Sequence, residues 1–194
     1  MEYAKMRAIA EELIAYAERL EGSWSVEIGA AGPVLAMTRP PKRHAGTVWR
    51  IGKQLDAQLA TTHPGYGCAR PEIEHPTLGR MRRPNAVVVP EAALDEEGLA
   101  VDASQVLAAI EIVSPSNPDN DYRDKLADYP AMGIEHYLIV DPRTGTIEVH
   151  SDPANGRYLS KEPYIYGDTV PFGPWTVDTA DFRRYGKAGD REKR

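Results

Sequence analysis

The strongest structural pattern in the chain lies in residues 107–142, LAAIEIVSPSNPDNDYRDKLADYPAMGIEHYLIVDP. Two short apolar runs predict buried strands over 107–113 and 137–140. Apolar residues at helical spacing, followed by a glycine stop, predict a helix over 121–131 between them. A strand–helix–strand unit indicates an α/β domain with a mixed sheet. The first run is interrupted by a single charge, Glu111.

Outward from this unit, the same rules assign the rest of the chain. Upstream, helical spacing predicts helices over 2–20 and 44–60, and the break in an alternating pattern predicts a hairpin over 24–37. Between the second helix and the central unit we expect short strands with loops over 61–84, a buried strand over 86–89 and an acidic loop over 94–104. Downstream, turns over 141–145 and 152–156 separate strands over 146–150 and 157–160, which predicts an antiparallel meander.

Length and composition exclude several classes of protein. The chain has 194 residues, a formal net charge of −6 and one cysteine, Cys68. This length fits one domain without a disulfide framework or a multi-cysteine zinc site, in a reducing compartment. No apolar stretch approaches the ~18 residues that span a bilayer, and no signal-peptide layout is present, so we expect a cytoplasmic protein with no membrane association.

The charge is unevenly distributed. Residues 183–194 contain six basic and two acidic side chains, so we expect a single domain over 1–182 followed by a flexible basic tail. The remaining body is acidic, which argues against broad, sequence-independent wrapping of nucleic acid.

Glu111 is the most informative candidate for chemistry. A charge within a buried strand is costly unless it is paired or bound to a metal. Glu111 lies near the carboxyl end of the strand, where open α/β sheets place ligand sites. Alternatively, this end of the strand is exposed to solvent and the charge has no function. Asp121 and Lys125 are four residues apart on the next helix, which fits either a surface ion pair or a pair that faces the sheet beside Glu111.

Two basic clusters favour a nucleic-acid partner. The first cluster lies just before the 86–89 strand and consists of Arg80, Arg82 and Arg83. The second lies at the start of the second helix and consists of Arg39, Lys42, Arg43 and His44. Arginine is suited to clamping phosphate groups. Alternatively, each cluster is simply a set of charged loop residues that face solvent without binding a partner. For His44, the alternative is a capping or surface role, which is more common than catalysis for a histidine at the start of a helix.

Four segments together resemble the Uma2 family of endonucleases, a branch of the PD-(D/E)XK nuclease superfamily. They are PNAVVV at 84–89, IEIVSPS at 110–116, DYRDKL at 121–126 and GIEHYLIVDP at 133–142, with Tyr129 between the last two. Weaker matches are Glu27 in the first hairpin and His44 at the start of the second helix. The resemblance covers about residues 10–170 and is most specific over 107–142.

The resemblance implies a restriction-endonuclease-like fold, with a mixed sheet flanked by helices and antiparallel hairpins at both ends. It also implies hydrolysis of phosphodiester bonds with Mg2+ or Mn2+ in a nucleic acid, with DNA the favoured substrate. The family pattern places metal ligands at Asn85 and Glu111 and a catalytic lysine at Lys125. Supporting candidates are Glu27, Asp121 and His44, and candidates for nucleic-acid binding are Arg82, Arg83, Lys42 and Arg43.

Asn85 departs from the family, which has a metal-binding aspartate at this position. A neutral amide should weaken magnesium binding, unless Glu27, Glu72 or Glu74 compensates. Three hypotheses therefore remain open: a metal-dependent nuclease, a catalytically weak nucleic-acid-binding protein, and an interaction or scaffold protein on the same fold. The sequence also leaves open a homodimer.

Overall fold

The computed structural model describes residues 2–38 and 40–186. The chain begins with α1 (Tyr3–Ala17), followed by the hairpin β1 (Ser23–Gly29) and β2 (Gly32–Thr38). α2 (Lys42–Thr62) is the longest helix. The predicted first two helices and first hairpin are therefore confirmed, with ends that differ by a few residues.

The main sheet has six strands. They are β3 (Tyr66–Ala69), β6 (Ala86–Pro90), β8 (Ala108–Ile112), β9 (His136–Asp141), β10 (Thr146–Ala154) and β11 (Arg157–Ile165). Their order is β11-β10-β9-β8-β6-β3, and only the β8–β9 pair is parallel. The parallel pair is the strand–helix–strand unit predicted from the sequence. The mixed sheet and the flanking hairpins confirm the predicted fold class.

A second sheet of five strands lies beside the first, where the sequence predicted only one sheet. It adds β4 (Glu72–His75), β5 (Arg80–Arg82) and β7 (Ala100–Asp102) to the first hairpin, in the order β2-β1-β5-β4-β7. β7 lies inside the stretch predicted as an acidic loop. Its three residues pair in parallel with β4, a non-local contact that the local sequence pattern does not indicate.

Both faces of the central strands β6, β8 and β9 are covered, which explains their nearly continuous apolar runs. On one face, Val88, Ile110 and Leu138 pack with α2 and with a terminal hairpin that the sequence analysis missed. That hairpin is β12 (Thr169–Phe172) and β13 (Trp175–Asp178). On the other face, Val87 and Ile139 pack against aromatic side chains, including Tyr129.

The predicted helix over 121–131 has two parts. Residues Asn120–Lys125 form a π-helical turn and Leu126–Ala131 form α3. A π-helical turn is wider than an α-helical one and is often found at functional sites. Here it buries both Asp121 and Lys125.

The second predicted turn is shorter than expected. β10 continues through Asp152 to Ala154, and only Asn155 and Gly156 connect it to β11. Both have positive φ, 52° and 73°, as a two-residue Asn-Gly hairpin turn requires.

The chain remains attached to the domain up to the end of the described region. The backbone N–H of Tyr185 donates to Pro142 O at 2.8 Å, and its hydroxyl donates to Val113 O at 3.1 Å. Most of the expected basic tail, residues 187–194, lies outside the described residues. None of the described helices is long and apolar enough to cross a bilayer.

Candidate active site

Glu111 is buried in β8, and three donors from the protein satisfy its carboxylate. Its Oε1 accepts hydrogen bonds from Lys125 Nζ and from the hydroxyl of Tyr129, both at 2.7 Å. Its Oε2 accepts from the backbone N–H of Asn85 at 3.3 Å. The side chain is 1% exposed, so the solvated strand end is excluded.

Lys125 is the centre of the site. Besides Glu111, two further carboxylates lie close to its Nζ, that of Glu27 at 3.5 Å and that of Asp121 at 3.8 Å. Its ammonium also donates to Arg83 O at 3.2 Å. Glu27 comes from β1 and Asp121 from the π-helical turn, so the ammonium joins the two sheets and the helix. The Asp121–Lys125 pair is therefore part of the buried cluster and not a surface pair.

The cluster has more negative than positive charge. Four buried or nearly buried carboxylates, those of Glu27, Glu111, Asp121 and Asp128, face three cations, Lys125, Arg82 and Arg80. The cluster therefore has one carboxylate more than it has cations.

Burial raises the pKa of Asp121 to about 8, and the nearby charge of Glu111 adds to the shift. Burial also raises the pKa of Glu111, although Lys125 and Tyr129 oppose it. For Glu27, burial is outweighed by the charges of Lys125 and Arg82, so its pKa is lowered. With a pKa of about 8, Asp121 therefore carries a proton at neutral pH, whereas Glu27 remains ionised.

Asn85 connects the start of β6 to the end of β8. Its Oδ1 accepts a hydrogen bond from the backbone N–H of Ile112 at 2.7 Å, next to Glu111. His44, from α2, is buried and its Nδ1 has no hydrogen-bond partner. Burial lowers the pKa of His44, while Ile112 and the Asn85 side chain act in the opposite direction, which places the imidazole beside Asn85. The sequence-predicted Asn85, Glu111, Lys125, Glu27, Asp121 and His44 are thus brought together.

Arg82 does not lie on the nucleic-acid-binding surface that the sequence predicts. Its side chain is 6% exposed and pairs with Asp128 at 2.5 Å and with Glu27 at 3.1 Å. Arg80 binds the other oxygen of Asp128 at 2.7 Å. Burial makes a free guanidinium costly, so Arg82 is a structural residue that ties β5 to β1 and α3.

The other predicted basic residues are exposed. Lys42 and Arg83 face solvent, and Arg43 donates to the backbone carbonyl of Arg184. Lys42 and Arg43 lie at the start of α2, and Arg83 lies in the turn before β6.

Neither of the other acids considered as compensation for Asn85 belongs to the cluster. Glu74 accepts from the hydroxyl of Tyr3 and pairs with Arg7, and Glu72 lines a separate groove beside Trp24.

The oxygen donors of the cluster are of the type that binds a hard divalent cation, but they are not arranged as a coordination site. Its oxygen atoms and excess negative charge are the features that Mg2+ prefers. Within residues 2–38 and 40–186, however, no group of three or more His, Cys, Asp or Glu side chains is arranged to hold a metal ion. The oxygens of Glu111 and Asn85 are engaged with protein N–H and O–H groups.

Two members of the cluster were missed by the sequence analysis. Tyr129 was noted in the sequence as part of the family resemblance, and the structure shows that its hydroxyl donates to Glu111. Asp128 binds two arginines, and its helical position next to Tyr129 gave no signal. Tyr137 packs edge-on against Tyr129 with ring centroids 4.9 Å apart.

We expect Asp121→Asn to stabilise the protein at alkaline pH. A carboxyl whose pKa is raised on folding stabilises the native state below its unfolded pKa, near 4, and this contribution is lost as pH rises towards 8. The variant should therefore gain on the order of 2 kcal/mol in unfolding free energy at pH 8.5 and little at pH 4.5. Urea denaturation at both pH values measures this. Asp119→Asn, in an exposed pair with Arg123, is the control, and equal effects of both variants would contradict the assignment.

The comparisons with known proteins agree with the observed fold. The Uma2 family model, described as "Putative restriction endonuclease", matches residues 10–174, which is most of the chain. A crystal structure from Anabaena variabilis ATCC 29413, described as a putative nuclease belonging to DUF820, has a similar fold, with a TM-score of 0.58 and 14% sequence identity. The match covers 82% of this chain and 87% of that one. No curated protein matches the sequence.

Proposed function

The chain belongs to the Uma2 family, and from this premise we propose that it hydrolyses phosphodiester bonds of nucleic acid at the cluster around Lys125. The observation that supports the proposal most directly is the 2.7 Å hydrogen bond between Lys125 Nζ and Glu111 at the carboxyl end of β8. A buried lysine beside strand carboxylates is what phosphoryl chemistry needs, because the developing charge must be stabilised away from bulk water.

We assign the binding of a divalent cation, Mg2+ or Mn2+, to Glu111 and Asn85. When bound, such an ion neutralises charge on the phosphoryl oxygens and lowers the pKa of a bound water. The grouping of four carboxylates around three cations supports this assignment, because a bound cation can replace the proton of Asp121. Because Asn85 contributes a neutral oxygen, we expect the affinity to be lower than for two carboxylates.

Lys125 has a distinct role in the proposal. The attractions of Glu111, Glu27 and Asp121 outweigh the effect of burial and raise its pKa, so the side chain remains an ammonium. It can donate a hydrogen bond to a phosphoryl oxygen or orient the attacking water, but it cannot accept a proton as a general base. Asp121 can hold or release a proton near neutral pH because its pKa lies at about 8.

The test is cleavage of supercoiled DNA and of single-stranded substrates with Mg2+ or Mn2+, compared with chelator. We expect metal-dependent cleavage by the wild type, and cleavage by Glu111→Gln only at the level seen in chelator. The matched control is Glu162→Gln on β11, where the carboxylate is exposed. Glu111→Gln should retain the fold, because the nearly isosteric amide keeps an oxygen that can accept from both Lys125 and Tyr129. Unchanged cleavage by this folded variant would refute the proposed site.

A second candidate function is binding of nucleic acid without cleavage. It is favoured by the hydrogen bond from the Ile112 N–H to Asn85 Oδ1, which occupies the neutral oxygen at the position of the family's aspartate. Binding in chelator together with no cleavage under any metal condition would support this candidate. Sedimentation of the same preparation tests the homodimer.

A further inference from the structure

A groove runs along the outer face of α2 beside the candidate active site. We call it the α2 groove and define it by Trp49, Gly52 and Lys53 of α2 together with Cys68, Arg70 and Ala86 of the neighbouring segments. Its volume is about 410 Å3, which is enough for a nucleobase. Nothing in the proposed chemistry uses it.

Trp49 is the most exposed large aromatic side chain among the described residues, with 63% of its surface accessible. Lys53 lies over its ring, with the ammonium 5.5 Å from the ring centroid. An exposed indole gains nothing from burial in the fold, so the core does not explain it. An exposed aromatic ring with a cation beside it is typical of surfaces on which the bases of single-stranded nucleic acid stack.

Gly52 of α2 and Cys68 of β3 meet in the groove. A Cβ on Gly52 would lie 3.5 Å from Cys68 Sγ, so glycine keeps this part of the groove open. Burial raises the pKa of the Cys68 thiol to about 12, and the charge of Asp56 adds to the shift, so the thiol remains neutral. A small, neutral side chain at this point suits an aromatic ligand better than a charged one.

The charges at the groove are complementary to a phosphate backbone. Lys53 and Arg70 lie on its two sides. The one acid in its lining, Asp56, is turned to the backbone, because its Oδ1 accepts the N–H of Cys68 at 2.7 Å. The cations therefore determine the sign of the local field, although the protein as a whole is acidic.

The groove adjoins the candidate active site at the start of β6. Arg70 Nε donates to the backbone carbonyl of Asn85 at 2.9 Å, and Ala86, the next residue, forms part of the groove lining.

The groove and the Glu111 side chain lie on opposite faces of the main sheet. α2 packs with Ile110 on one face, whereas the next residue, Glu111, contacts Tyr129 on the other. A strand with its scissile phosphate at Asn85 and Glu111 would therefore pass around the start of β6 to place a neighbouring nucleotide in the groove.

We propose that the α2 groove binds an unpaired nucleobase, stacked on Trp49, with Lys53 and Arg70 at the adjoining phosphates. The substrate class of the site is then single-stranded nucleic acid, or a duplex with a frayed or extruded base. A base paired within a regular duplex cannot enter, because stacking on Trp49 requires a free base face. This inference rests on the proposed function and specifies its substrate.

Binding is measured in chelator, so that it does not depend on cleavage, by the anisotropy of fluorescein-labelled oligothymidylate, oligouridylate and a DNA duplex. We expect the wild type to prefer the single strands. Trp49→Ala should weaken single-strand binding by roughly 5- to 100-fold, and Trp49→Phe, which retains a ring, by much less. Lys53→Gln should reduce the slope of log K against log salt by about 0.7. Leu159→Ala is the control, since this side chain is 68% exposed on β11, at the opposite edge of the main sheet.

The outcomes separate this inference from the proposed function. If single strands bind equally well to the wild type and to Trp49→Ala, or if duplex is preferred, the groove does not bind a base, while Glu111-dependent cleavage would leave the proposed function intact. If the wild type neither binds nor cleaves any of these nucleic acids, both are wrong. Quenching of tryptophan fluorescence by oligothymidylate that disappears in Trp49→Phe would locate the stacked base, because this variant still contains the other two tryptophans, the half-buried Trp24 and the buried Trp175.

Discussion

Lys125→Met is expected to lower the free energy of unfolding by about 3–5 kcal/mol at pH 8, since it removes the central cation from a buried ionic cluster. Glu111, Glu27 and Asp121 all lie within 3.8 Å of the Lys125 ammonium, and no other cation reaches Glu111. Methionine preserves most of the volume of the side chain, so the loss measures charge and not packing.

The loss should be smaller at acid pH. Glu111 and Asp121 already have raised pKa values, and without the lysine they would take up protons more readily still. Urea denaturation at pH 5 and pH 8 therefore gives a difference between wild type and variant that grows with pH.

Lys161→Met is the matched control for this prediction. Its ammonium pairs with Glu148 at 2.9 Å, but the lysine side chain is 57% exposed, and pairs of this kind contribute about 0–1 kcal/mol. If Lys125→Met costs no more than Lys161→Met, or if its cost does not change with pH, the cluster is not held together by Lys125 in the way the geometry indicates.

The central part of the fold could be predicted because its information is local. The strands at 107–113 and 137–140 are buried on both faces, so each appears in the sequence as an apolar run, which in the first strand only Glu111 interrupts. Gly133, with φ of 84°, ends the helix between them where the sequence predicted a stop. β7 could not be predicted in this way, because its three residues are held by pairing with β4, far away in the sequence.

The difference between local and non-local information also explains which site residues could be recognised from the sequence. Glu111 was recognisable because a charge within an apolar run needs a partner, and Lys125 is the partner supplied by the next helix. Arg82 was misassigned because its neighbours in sequence are arginines, while the acid that buries it, Asp128, lies 46 residues away. Trp49 gave no signal, since a single aromatic residue on a helix is as compatible with the core as with a surface.

Asn85→Asp is expected to convert the cluster into a stronger cation site. The new carboxylate would lie beside Glu111, whose pKa is already raised by burial. In chelator at pH 8.5 the variant should lose about 1–3 kcal/mol of unfolding free energy through repulsion between close anions. Asp retains the oxygen that accepts the Ile112 N–H, so this loss does not include a broken backbone contact.

The position of His44 indicates how the destabilisation by Asn85→Asp should depend on pH. Its imidazole lies beside Asn85, and burial lowers its pKa in the wild type. A carboxylate at position 85 would favour the protonated imidazole, so the loss of stability should be smaller at pH 6 than at pH 8.5. Asn85→Asp combined with His44→Gln should remove this recovery at pH 6.

Magnesium should reverse the destabilisation. A divalent cation relieves repulsion between two close carboxylates, so we expect Asn85→Asp to bind Mg2+ on the order of tenfold more tightly than the wild type and to melt at a temperature that rises with its concentration. Calorimetry with MgCl2 and thermal melts with and without chelator measure both effects. Asn155→Asp, at the exposed turn between β10 and β11, carries the same change in charge and should show neither. If Asn85→Asp also shows neither, then position 85 does not face a cation site shared with Glu111, and the cluster around Lys125 acts without an ion at this position.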